Sequence, residues 1–294
     1  MPSWNEIFDS VQTNNAIENK KKEYFKKLIN HTQRNCIVYY SCWQQKLGVQ
    51  ASFNIEDDDR NGFMNSLYGL EKNKGLDLIL HTPGGDSAAT QSIVDYLYSY
   101  FGGNIRVIVP HTAMSAGTMI ACSAKEIIMG RHSNLGPIDP QINGMPAHEF
   151  VNLLNQAIDD INLNKNIAYW QMTLNKYPPT LFGMCNNAIA VSKKNVKKWL
   201  ERTMLKDAPE EDVDRTVEYL ANYNFHLQHN TRLSIDELRR NTALKIVALE
   251  DDQELQESVL SLYHCYQISS VTSNCAKIIE NHNSIKFVKN HIIN

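Results

Sequence analysis

The sequence predicts an α/β fold with a parallel sheet, followed by a mostly helical second half. Three observations lead there. Short runs rich in apolar and β-branched residues recur at 76–80, 105–109 and 126–129, with the length and composition of buried strands. Two helical segments separate them: 87–101, apolar at helical spacing, and a run of small residues that begins near Ser115. Strand, helix, strand, helix, strand at this spacing calls for right-handed crossovers and parallel pairing.

Taken in order, residues 1–34 read as a charged helical extension. Lys20-Lys21-Lys22 and Lys26-Lys27 mark a solvated face that packs on the domain or on a neighbouring subunit. CIVYYSC, from Cys36, is a strand. Glu56, Asp57, Asp58 and Asp59 fall in a polar helix start or loop. No spaced oxygen ligands follow as in a calcium loop, so these acids read as a solvated turn. The strand at 76–80 is broken by His81-Thr82-Pro83-Gly84-Gly85, and the helix at 87–101 ends at Gly102-Gly103-Asn104. Pro110 stops the next strand, and a turn over 130–134 follows the third. Beyond Gln141, helices are expected at 147–175, 186–205 and 209–222. Ser234 and Glu237 form the capping box of another. A strand-like stretch at 244–249 precedes a helix at 252–267. The Asn-rich residues after Ser270 read as a loosely attached tail. The chain thus divides into an extension (1–34), one domain (35–270) and a tail (271–294).

Composition excludes several functions. With 43% hydrophobic residues the chain has enough for a core, and 29 basic against 32 acidic residues leave a net charge of −3. That balance gives no electrostatic case for nucleic acid as a partner. No apolar run reaches 18 residues, so no membrane span is expected. The first residues lack the apolar middle of a secretory signal, and the expected location is cytoplasmic. Six cysteines stand at 36, 42, 122, 185, 265 and 275 without a C-x-x-C pair or a His/Cys cluster of zinc spacing. They read as free thiols, and no metal or other cofactor is implied.

Two features carry chemistry. In Pro83-Gly84-Gly85, proline fixes the entry to a turn, and the glycines can take conformations that leave backbone N–H groups pointing outward. Fixed donors of that kind are what a developing oxyanion needs, although such a turn is often only a turn. Ser115, at a strand-to-helix junction, presents its hydroxyl beside the free N–H of Ala116. Alone it reads first as a helix N-cap. Together the two features supply both halves of an acyl-transfer site on neighbouring βα units.

The run LILHTPGGDSAAT…IRVIVPHTAMSAGTMIACSAKEIIMGRHSNLGPIDPQ resembles the serine dehydrogenase proteinase (SDH) family of Clp-fold serine peptidases, relatives of signal peptide peptidase A and Clp protease. The resemblance is strong over 76–141 and continues more weakly through 217–252. It implies a Clp/crotonase-like fold of repeated ββα units with a helical C-terminal layer. It also implies Ser115 as nucleophile and the N–H groups of Gly85 (or Gly84) and Ala116 as oxyanion hole. The run 136–141 falls where the Clp relatives carry their histidine. Here Ile138 and Asp139 stand instead, so no histidine is supplied from that position. The base is therefore open. Lys165 matches the place from which some signal peptide peptidase relatives supply a lysine, with Lys176 in reserve. Such a lysine serves only if burial or a nearby cation keeps it neutral. His81, His111 and His229 keep a Ser-His arrangement in play, with Asp86 and Asp139 as orienting acids. Asp139, between Ile138 and Pro140, reads more as a turn-former.

The expected reaction is hydrolysis of peptide bonds in an extended polypeptide, bound as an added strand along the diglycine turn. A homo-oligomer is expected, with room for a dedicated activating partner. The rival readings are a catalytically silent scaffold or peptide-binding protein and a crotonase-like acyl-CoA hydrolase.

Overall fold

The computed structural model describes residues 4–10, 14–49, 51–142, 144–226 and 228–291. Two helices, α1 (Trp4–Ser10) and α2 (Asn14–Thr32), precede β1 (Asn35–Ser41) and α3 (Asp59–Ser66). The alternating core follows as β2 (Leu76–His81), α4 (Ser87–Phe101), β3 (Ile105–Val109), β4 (Thr112–Ala113), α5 (Ala116–Cys122), β5 (Glu126–Met129) and β6 (Asn134–Leu135). A small hairpin, β7 (Gln141–Ile142) and β8 (Met145–Pro146), leads into α6 (Ala147–Asn162), α7 (Ile167–Leu174) and α8 (Leu181–Arg202). The chain closes with α9 (Glu210–Ala221), α10 (Tyr223–His226), α11 (Ile235–Asn241), β9 (Ile246–Ala248), α12 (Gln253–Thr272), β10 (Cys275–Asn281) and β11 (Lys286–Asn290).

The main sheet has the order β11-β10-β1-β2-β3-β5-β9. The five strands from β1 to β9 run parallel, while β10 and β11 are antiparallel additions at one edge. Both faces are covered. Ile37, Tyr39, Leu78, Leu80, Val107 and Val109 join one core with α4, α5, α8 and α9. Their neighbours Val38, Tyr40, Ile79, Ile108 and Ile128 join a second with α1, α2 and α12. Strands buried on both sides read as continuous apolar runs, which is why they were legible in the sequence. One charge inside them, Asp77, is fully buried and held by Arg34 at 2.6 Å and by Arg106 of β3 at 2.7 Å.

Four expectations need correcting. The residues after 271 are no loose tail, because β10 lies between β1 and β11 within the sheet. Two charges in its sequence, Lys277 and Glu280, conceal the strand, and both are buried against partners: Lys277 against Asp59 and Glu280 against Lys21. Asp59 is likewise wholly buried rather than part of a solvated turn. In the extension, Tyr24, Phe25 and Leu28 of α2 belong to the second core, and Lys21 is covered. The expected single helix at 147–175 is two, separated by a turn in which Asn164 and Asn166 have positive φ.

Candidate active site

Beyond the ends of β2 and β3 the two chains stay paired. The Thr82 N–H donates to the Thr112 carbonyl at 3.1 Å, and the Met114 N–H donates to the Thr82 carbonyl at 3.1 Å. This continued pairing sets the diglycine turn against the start of α5. Gly84 has φ +103°, and a Cβ there would come within 2.9 Å of the Ser115 Cβ and 2.8 Å of the Met114 carbonyl oxygen. Only glycine fits so close. Gly85 is packed as tightly on its other side, where a Cβ would meet the Ile55 backbone at 2.3 Å. Ile55 is bridged to Gly85 and so fills one flank of the turn.

Ser115 precedes α5 with φ +51° and ψ −113°, and its side chain makes no capping hydrogen bond. A non-glycine residue in such a conformation carries strain of about 1–3 kcal/mol, which functional sites tend to store. The N-cap reading does not describe this serine. The Gly84 N–H is engaged, donating to Thr82 Oγ1 at 3.1 Å. Among the described residues, the Gly85 and Ala116 N–H groups have no such partner. Thr118, one turn into α5, takes a hydrogen bond from the Gly136 N–H at 2.9 Å and so draws the 136–140 loop against the helix.

That loop carries Asp139. The Ile138 N–H donates to the Leu220 carbonyl at 2.9 Å, and the Ser192 hydroxyl donates to the Ile138 carbonyl at 2.8 Å. Leu135 and Leu233 exchange backbone hydrogen bonds of 3.1 and 2.9 Å, which carry the 228–233 segment back over the loop. His229 Nδ1 thereby lies 3.0 Å from Asp139 Oδ1, a contact oriented off the line of a hydrogen bond. Asp139 is 1% exposed, and its carboxylate has no other partner among the described residues. Buried polar groups left unsatisfied are uncommon and call for a reason. The reading of Asp139 as a turn-former is therefore replaced by one in which a buried acid faces an imidazole. Nearby, burial holds His148 below the usual histidine range, against the charge of Asp139.

A cavity of about 450 Å³ collects Ser115, Ala116, Gly85 and His229, together with Asn54, Asp86, Met119, Ile138, Gln141 and Ser192. Lys165 is elsewhere. It lies exposed on the turn between α6 and α7, outside the cavity lining, and its N–H donates to the Asp160 carbonyl at 2.7 Å. Lys176 is also exposed, after α7. Both fall outside the cavity lining, and neither has the burial by which a lysine is held neutral. Asp86 reaches the cavity mouth but caps α4, accepting from the Ala89 N–H at 2.7 Å.

His81 and His111 fall outside the cavity lining. The His81 ring is fully buried, stacks on Trp43 at 4.4 Å, and sits among Tyr40, Tyr263 and His111. Among the described residues neither ring nitrogen makes a well-formed hydrogen bond. Burial, then the neighbouring His111, holds its pKa well below the usual 6.5. Burial likewise lowers His111 and His264. Below about pH 6.5 the unfolded chain takes up protons that these folded imidazoles refuse, so stability is full above that pH and falls as pH drops through it. His31, raised by Asp252, acts in the opposite sense but is largely solvated. The melting temperature is therefore expected to fall between pH 7.5 and 5.5, and His81→Phe should make the fall shallower. A flat wild-type profile over that range would contradict this account.

Among the described residues no helix is long and apolar enough to cross a membrane. Two curated proteins of Methanocaldococcus jannaschii, both uncharacterized, resemble part of the chain. MJ0137 is 41% identical over 109 residues, 37% of this chain and 38% of its own length. MJ1495 is 38% identical over 101 residues, 34% of each. The chain thus matches little more than a third of either relative. A family model described as ClpP-like SDH-type serine proteinase matches residues 10–267. That span takes in the diglycine turn, Ser115, Asp139 and His229, and the chain belongs to this family of ClpP-like serine proteinases.

Proposed function

We propose that the chain hydrolyses peptide bonds through an acyl-enzyme on Ser115, with His229 as general base and Asp139 as its orienting acid. One observation carries the reading: Ser115, Gly85, Ala116 and His229 line a single cavity, and a buried carboxylate backs the histidine. Ser115 Oγ attacks the carbonyl carbon while His229 Nε2 takes its proton. The Gly85 and Ala116 N–H groups hold the oxyanion, and Asp139 stabilises the imidazolium on its Nδ1 side. As the tetrahedral intermediate collapses, the C–N bond breaks and His229 gives its proton to the leaving amine. Water, deprotonated by the same imidazole, then cleaves the ester and frees Ser115.

The polypeptide lies extended across the cavity, flanked by Gly85 and Gln141. This recognition rests on backbone and so reads little sequence. The protein works as a homo-oligomer. Exposed Ile158, Leu163, Ile167, Tyr169 and Met172 crowd the arm formed by α6 and α7, where an isolated chain leaves apolar surface uncovered.

A fluorophosphonate probe tests the site and separates the two candidate bases. The wild-type protein should be labelled, with the modified peptide mapping to Ser115. Lys165→Met should be labelled at the wild-type rate, since that side chain lies in solvent. No labelling of a folded, assembled sample would sink the serine reading, and loss of labelling in Lys165→Met would restore the lysine.

A further inference from the structure

Ile55 buttresses the diglycine turn, and an ion pair buttresses Ile55 from both sides. The Ile55 N–H donates to the Gly84 carbonyl at 2.8 Å, and the Asp86 N–H donates to the Ile55 carbonyl at 2.9 Å. Just before it, the Asn54 carbonyl accepts from Lys277 Nζ at 2.7 Å. Just after it, the Glu56 N–H donates to Asp59 Oδ2 at 3.1 Å. Lys277 and Asp59 are themselves paired, Nζ lying 2.9 Å from Oδ2 and 2.7 Å from Oδ1, and both side chains are fully buried. Tyr39 donates its hydroxyl to the same carboxylate at 2.8 Å. Two charges in the interior on either side of one residue need a reason, because a buried ion pair is rarely better for stability than well-packed apolar side chains. What apolar side chains could not supply is direction: one donor to Asn54 and one acceptor for Glu56.

We propose that Lys277 and Asp59 are positioning residues of the serine site, which bracket Ile55 and thereby hold Gly84 and Gly85 in register with Ser115. Lys277 stands in β10, far along the chain from the turn, so the C-terminal hairpin is part of the oxyanion machinery. The inference rests on the reading of Gly85 as an oxyanion donor. A donor misplaced by a fraction of an ångström loses most of its effect on the transition state while leaving ground-state binding nearly alone.

Lys277→Met alone would strand Asp59 as an unpaired buried charge and endanger folding. The test is therefore the double variant Lys277→Met with Asp59→Leu, which removes both charges together with the donor to Asn54 and the acceptor for Glu56. Two quantities are measured on the full chain: amide hydrogen exchange at Ile55 and Asp86, and the rate of fluorophosphonate labelling. Exchange at those two amides should rise at least about tenfold, with the amides of β2 and β3 unchanged. The maximal labelling rate should fall about 10- to 100-fold, with the half-saturating probe concentration unmoved. Unchanged exchange and labelling in the folded variant would overturn the proposal. So would faster exchange across the whole sheet with labelling intact, the mark of a merely structural pair. If the wild-type protein is not labelled at all, the serine reading fails, and exchange at Ile55 and Asp86 still decides whether the pair holds the turn.

Discussion

Ser115→Ala is expected to lower peptide hydrolysis by about 10⁴- to 10⁶-fold, the scale on which serine peptidases lose rate when the nucleophile goes. Fluorophosphonate labelling should vanish with it. The melting temperature should stay within about 2 °C, because the hydroxyl makes no capping bond whose loss would be felt. Alanine at φ +51° is as strained as serine, so the backbone has no reason to relax. The measurements are turnover of an unstructured polypeptide and a thermal melt on the same preparation. Cleavage that survives in this variant would place the nucleophile elsewhere.

His229→Ala should cost about 10⁴-fold in kcat or more, with KM little changed, since the imidazole acts on a proton and not on substrate binding. Added imidazole should return part of the rate, which restoring stability alone would not do. Asp139→Asn keeps the shape of the pocket but removes the charge that favours an imidazolium with its Nδ1 proton toward the loop. Its loss should be of similar order. Rates within tenfold of wild type for either variant would exclude this pair from the mechanism.

The proposed nucleophile and oxyanion turn stood out in the sequence because each is a local signal on adjacent βα units: a serine before a run of small residues, and two glycines after proline. The proposed base was legible only as one candidate among several, with His229 beside Lys165, His81 and His111. What the sequence does not show is the meeting of His229 with Asp139, which follows from the pairing of Leu233 with Leu135 across the loop. Lys165, placed by resemblance, falls instead on an exposed turn. The C-terminal strands were missed for a related reason. The pattern CAKIIEN looks half-polar until Lys277 finds Asp59 and Glu280 finds Lys21, each more than 200 positions earlier in the chain. Binary patterning locates strands whose charges face water and passes over those whose charges are neutralised inside.

All six cysteines are free, and all are buried: Cys42 just after β1, and the others in β1, α5, α8, α12 and β10. In the native fold a maleimide or disulfide reagent meets no thiol at the surface, so its uptake measures how often a segment opens rather than any chemistry of the site. Inactivation by such reagents would report transient breathing, element by element, and would be no sign of a cysteine nucleophile.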